Sequence, residues 1–167
     1  MKKLLPLAIT IFAAASCNTS GCLDNQNSIP LAGLYASPGG SAITISTLQV
    51  HGIGAPHDSI LIASGEAVSK LYLPMRSTAG STSWCFHYTQ SDLSDLALND
   101  TITFVYDSEP YFASEECGAV YYYKIKQCST TKHLIDSVVI TDSIITNVDL
   151  ERIKIYMRTG AQSNDEQ

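Results

Sequence analysis

Apolar and polar residues alternate through most of this chain, and that period of two constrains its fold more than any other feature. Successive side chains of a strand point to opposite faces, so alternation marks a strand with one face on a core and one in water. Trp84, Phe86 and Tyr88 alternate with Cys85, His87 and Thr89. Ile102, Phe104 and Tyr106 alternate with Thr101, Thr103 and Val105, and Ile153, Ile155 and Met157 with Arg152, Lys154, Tyr156 and Arg158. Leu48 and Val50, Ile60 and Ile62, and Leu71 and Leu73 are shorter versions. Residues 117–127 form the longest candidate, with Ala119, Tyr121, Tyr123 and Ile125 on one side and Val120, Tyr122, Lys124 and Lys126 on the other. The β-branched stretch 138–145 reads as strand. Pro38-Gly39-Gly40, the segment 52–56, Ala79-Gly80-Ser81 and Asn99-Asp100 are turn formers that punctuate these runs. Only residues 91–98 suit a helical turn or two, with Ser91 as the cap. Seven to nine short strands in about 130 residues predict an all-β domain over 29–158. Its expected form is an antiparallel two-sheet sandwich, immunoglobulin-like in general architecture.

The N-terminus predicts export. Lys2 and Lys3 precede an apolar run from Leu4 through Ile11 and Phe12 to Ala15, and small residues then lead into Cys17. These are the parts of a secretory leader, and the run falls short of the roughly 20 apolar residues of a membrane span. Residues 1–16 are therefore read as a removed signal peptide. Ala14-Ala15-Ser16-Cys17 resembles the lipobox of bacterial lipoproteins, although Ala14 stands where Leu is usual. The expectation is a lipid on the Cys17 thiol, which would anchor the protein to a membrane; the alternative is cleavage after Ala15, leaving an ordinary thiol. Residues 17–28 read as a polar, lipidated tether, and 159–167 as a disordered tail. No run of acids follows Cys17, so the domain is expected to face the periplasm from the outer membrane. The formal charge is −6, and loss of Lys2 and Lys3 takes it to about −8. Nucleic acid and anionic membrane faces need clustered Lys and Arg, so neither is an expected partner.

Five cysteines are present: Cys17, Cys22, Cys85, Cys117 and Cys128. With Cys17 assigned to lipid, four remain, which in an oxidising envelope suggests two disulfides in one of three pairings. Cys85 and His87 share a strand face, but no Cys-x-x-Cys occurs and His51, His57 and His133 lack a second ligand at a recognisable spacing, so no metal is expected. Ser129-Thr130-Thr131-Lys132 matches the Ser-x-x-Lys nucleophile motif, yet it lies between strands rather than at a helix start. His51, His57, Asp58 and Ser59 cluster around a Gly-rich turn without a nucleophile elbow. Tyr121-Tyr122-Tyr123 must split across the two faces of a strand, as core or as a ligand platform. Asp92, Asp95, Asp100, Asp107, Glu109, Glu115 and Glu116 crowd one region without calcium-loop spacing, and read as a solvated rim. No P-loop or dinucleotide fingerprint exists. No enzyme activity and no cofactor are expected.

The run Asp100-Thr101-Ile102-Thr103-Phe104-Val105-Tyr106, then Pro110-Tyr111-Phe112-Ala113-Ser114 and Cys117-Gly118, resembles a family of uncharacterised Bacteroides-type envelope lipoproteins. Leu73-Pro74-Met75, Leu48-Gln49-Val50-His51-Gly52, Ile144-Ile145-Thr146-Asn147 and Arg152-Ile153-Lys154-Ile155-Tyr156 extend the likeness to about 22–157. The resemblance implies a Cys22–Cys117 bridge, because both match that family's cysteines. Cys85 and Cys128 are extras to that family, so the resemblance leaves their pairing open; Cys85–Cys128 is the favoured second bridge. It implies a compartment and a fold but no activity. The expected function is protein interaction or scaffolding with another envelope protein; the alternative is binding of a glycan or calcium.

Overall fold

The computed structural model describes residues 28–56, 59–114 and 118–159. Ten strands follow one another: β1 (Leu31–Ser37), β2 (Leu48–Gly52), β3 (Ile60–Ile62), β4 (Lys70–Tyr72), β5 (Ser81–Tyr88), β6 (Asp100–Ser114), β7 (Gly118–Thr130), β8 (Ile135–Ile140), β9 (Ile144–Ile145) and β10 (Glu151–Arg158). They make a four-stranded sheet, β4-β1-β10-β8, and a six-stranded sheet, β3-β2-β5-β6-β7-β9. The sandwich expected from alternation is present, and the strand number exceeds the expected range because one β-branched stretch divides into β8 and β9. Pairing is antiparallel except between β1 and β10, which run parallel in register from Leu31 opposite Glu151 to Ser37 opposite Arg158. The first and last strands of the domain thus lie side by side.

The alternation read from sequence is the alternation of burial. Trp84, Phe86 and Tyr88 of β5, Ile102, Phe104 and Tyr106 of β6, and Ile153, Ile155 and Met157 of β10 are all buried. Trp84 meets Phe104 edge-on at 5.2 Å between ring centres, a geometry that aligns the positive ring edge with the negative ring face. Ala32 and Leu34 of β1 complete the floor from the other sheet. The 91–98 segment holds a single 3-10 turn, Leu96–Leu98, capped by the Asp95 carboxylate on the Ala97 N–H rather than by Ser91.

One cysteine expectation is overturned. Cys85 and Cys128 are free thiols. Cys85 lies opposite Thr101 on β6, on the face turned away from the core. Cys128 lies opposite the buried Phe104 and packs on the core. The two are separated by a whole strand and by the thickness of the sheet. Neighbouring strands are about 4.8 Å apart, so a bridge requiring Cα atoms within about 7 Å and converging Cβ vectors cannot close. Cys17, Cys22 and Cys117 lie outside the described residues, as do residues 1–27, where a leader and tether are expected, and residues 160–167 of the expected tail.

Candidate functional site

The β6–β7 hairpin is the feature that the sandwich does not consume. β5 covers β6 only from Asp100 to Val105, whereas β7 stays paired with β6 as far as Ser114 opposite Gly118. β9 still covers β7 at Tyr123 and Lys124, opposite Ser108 and Asp107, so from Glu109 and Tyr122 outward the hairpin is a two-stranded arm. Its base is fixed to the core. Tyr106 and Tyr123 meet edge-on at 5.4 Å between ring centres, and both are buried. The Tyr106 hydroxyl donates to the Arg76 carbonyl at 2.9 Å and lies 2.6 Å from Thr82 Oγ1. Ser108 Oγ donates to the Ser77 carbonyl at 2.7 Å. The 73–80 connection is thus laced to the root of the arm.

Beyond that root the side chains are large, apolar and in water. Phe112 is 65% exposed, Tyr111 47% and Tyr121 38%. Tyr111 stacks on Tyr122 at 4.4 Å with ring planes 16° apart, and Tyr122 OH donates to Asn147 Oδ1 at 2.9 Å. The second contact brings the 146–150 connection to the arm, where Val148 and Leu150 are also exposed. Rigid aromatics held on paired strands offer large contact area with few rotamers to freeze. They are the side chains enriched where proteins dock.

The three tyrosines in sequence divide as strand geometry requires. Tyr123 enters the core, Tyr121 is exposed on the same side of the strand nearer the tip, and Tyr122 lies on the opposite face in the stack. Tyr111 and Phe112, absent from the sequence-level candidates, are the more exposed pair. A signal for them existed in Pro110. Proline has no N–H to give a ladder, so within a strand it marks a side with no neighbour. Pro110 lies opposite Tyr121, in the part of β6 that β5 does not reach.

A second feature is a cavity of about 740 Å³ at the end of the sandwich where β1 and β10 finish. Ile43, Ile45, Leu93, Leu134 and Met157 line it, with Asp92 and Arg158 also in its wall. The Arg158 guanidinium is already engaged, donating to the Lys132 carbonyl at 2.6 Å and reaching Asp136 at 3.2 Å.

Tyr88, in the same cavity wall, leads to Asp100, a fully buried carboxylate. Its Oδ1 accepts from Thr131 Oγ1 at 2.8 Å and from the His133 N–H at 2.7 Å. Its Oδ2 accepts from Tyr88 OH at 2.8 Å, the Leu134 N–H at 2.7 Å and the Ile135 N–H at 2.8 Å. Burial alone would raise its pKa, but these donors, led by the Ile135 and His133 N–H groups, hold it below the ordinary aspartate value. Burial and the Asp100 charge push the Tyr88 phenol up. Asp100 is thus a clamp that ties the start of β6 to the β7–β8 connection, and it is not a rim acid.

The other sequence candidates do not assemble. Ser129 sits within β7 opposite Thr103, and Lys132 follows with a left-handed φ of 64°, so no helix start brings the amine to the hydroxyl. Ser59 Oγ donates to the Pro56 carbonyl at 2.8 Å; His57 and Asp58 lie outside the described residues, and His51 pairs with Cys85 across β2 and β5. His87 Nδ1 meets Asn99 Oδ1 at 2.9 Å, not a cysteine. Asp107 is ion-paired with Lys126 at 2.6 Å. Glu115 and Glu116 lie outside the described residues. Among the described residues no three His, Cys, Asp or Glu side chains converge as metal ligands do.

A family model described as a family of unknown function, DUF6452, matches residues 47–157. No curated protein and no solved structure matches the chain.

Proposed function

The chain belongs to the family of unknown function DUF6452, and from that premise we propose that it is an exported lipoprotein whose sandwich is a protein-interaction module docking through the β6–β7 arm. The carrying observation is the arm itself: two paired strands running past their sheet, rooted by Tyr106 and Tyr123 and tipped by Phe112, Tyr111 and Tyr121 in water. Phe112 and Tyr121 share one face of the arm and Tyr111 lies on the other; a monomer gains nothing in stability from exposing them, whereas a partner that buried them would gain about 25 cal/mol for each Å² of apolar area covered. In this reading the lipid on Cys17 holds the module at the outer membrane, facing the periplasm, and the protein acts by binding without catalysis.

The test is an in-cell cross-linked capture of the tagged protein, read by mass spectrometry. Wild type should retain a defined set of envelope proteins. The Tyr111→Ser/Phe112→Ser variant should lose them while melting at the same temperature. Equal capture by both proteins would remove the arm from the account. Protease shaving of intact cells should leave the domain whole; its removal would place it on the outer surface instead.

The cavity favours a second reading, a small-ligand module. Its volume and apolar wall fall within the range of small-molecule pockets. Saturable thermal stabilisation by a glycan or by Ca²⁺ would support that reading, since a ligand that binds only the folded state raises its melting temperature.

A further inference from the structure

The two ends of the sandwich are unlike. The cavity and the Asp100 clamp mark one end. β1 and β10 finish there, and β6 starts there, bound through Asp100 to Thr131 and Ile135. β6 therefore runs toward the other end, where β1 and β10 begin, and the arm overhangs it. The chain also enters the domain at that end, since Ser28 stands just before β1. Six large apolar side chains are exposed there: Tyr72, Tyr111, Phe112, Tyr121, Val148 and Leu150. The 146–150 connection is braced across the same end. Tyr72 OH donates to Asp149 Oδ2 at 2.8 Å, and Tyr122 OH of the arm donates to Asn147 Oδ1 at 2.9 Å. Val148 and Leu150 thus stand on a fixed ridge between the four-stranded sheet and the arm, and a partner covering them has little left to order.

Resting on the reading of the arm as the docking element and of Cys17 as the lipid site, we propose that this whole end is the interaction surface and that its partner is a protein embedded in the membrane that holds the lipid. The reach of the tether sets the class of partner. Residues 18–27 span about 17 Å as a coil and at most about 35 Å fully extended. The uncovered stretch of β6, from Glu109 to Ser114, takes up about 20 Å of that space at about 3.3 Å per residue. The gap between this end and the headgroups is therefore shallow. A soluble domain of about 100 residues has a radius of gyration of about 13 Å, and its full width is more than twice that. A membrane-embedded protein presents a surface at this height without filling the gap. The bilayer alone is a poorer match. Glu109 on the arm, and Glu115 and Glu116 in the sequence that joins β6 to β7, bring carboxylates that hydrocarbon excludes.

A photo-cross-linking residue placed at Phe112, Val148 or Leu96 of the full chain in living cells tests this. Phe112 and Val148 should capture the same protein, and that protein should stay in the membrane pellet after an alkaline carbonate wash. Leu96, just before the start of β6 at the opposite end, should not capture it. Val148→Ser/Leu150→Ser should cut the Phe112 adduct at least about fivefold while the melting temperature stays unchanged. A Phe112 partner that carbonate releases, a partner not shared with Val148, or an adduct undiminished by Val148→Ser/Leu150→Ser would overturn the proposal and leave the arm as a docking element. Adducts of lipid mass alone would give this end to the bilayer and overturn both readings. No adduct at Phe112 would sink both as well.

Discussion

Asp100 accepts five hydrogen bonds while fully buried. Five donors converge on two oxygens, so its replacement leaves backbone N–H groups buried and unanswered. Asp100→Asn keeps the size but turns one acceptor into a donor facing N–H groups. It should destabilise the domain by about 3 kcal/mol, measured by urea unfolding. A cost under about 1 kcal/mol would mean that the 131–135 segment holds itself. The thiols behave in the opposite way. Burial pushes the Cys128 thiol up to about 11, and burial together with the Asp100 charge raises Cys85. Thiolate is the reactive form, so both should resist alkylation at pH 8 in the folded protein and react on unfolding. Fast native labelling of Cys128 would contradict its packing. At this scale sequence was least informative. Asp100 counted as one acid among seven in a crowded stretch, because its partners Tyr88, Thr131 and residues 133–135 converge only when β5, β6 and β8 assemble.

Elements were more legible than residues. Trp84, Phe86 and Tyr88 announced β5 because burial on one face writes period two directly into sequence. The same rule placed β10 and the start of β6. It missed that β6 continues to Ser114, since alternation fades where neither face is buried and only Pro110 marks the overhang. It also missed the parallel pairing of β1 with β10, because a residue's facing does not reveal the direction of its neighbour. The arm yields the prediction that belongs here. Tyr111→Ser/Phe112→Ser removes exposed side chains that brace nothing in the core, so the melting temperature should move by less than about 0.5 kcal/mol of equivalent stability. A large drop would mean that the Tyr111–Tyr122 stack holds the hairpin together.

Across the whole molecule, acid sensitivity follows from carboxylates set below their ordinary values. Burial opposes the charge of Asp100, but its donors prevail. Glu151 is likewise held down against burial by the Tyr35 hydroxyl and Lys70, and Asp136 by the Ser37 hydroxyl and Arg158. Each binds a proton less readily folded than unfolded, so the stabilisation is complete above the unfolded value near about 4 and is lost as pH falls through the lower folded values. Denaturant midpoints should stay level from pH 5 to pH 7 as far as these groups act, and fall steeply below about pH 4. A midpoint unchanged at pH 3 would contradict the clamp. Asp100→Asn should flatten the acid limb.

The account rests on the arm meeting another protein, and a photo-cross-linking residue placed at Phe112 of the full chain in living cells tests that contact most directly. The account expects an adduct heavier than the chain at Phe112 and none at Leu96, which is exposed on the 3-10 turn. No adduct at Phe112, or equal adducts at both positions, would contradict it.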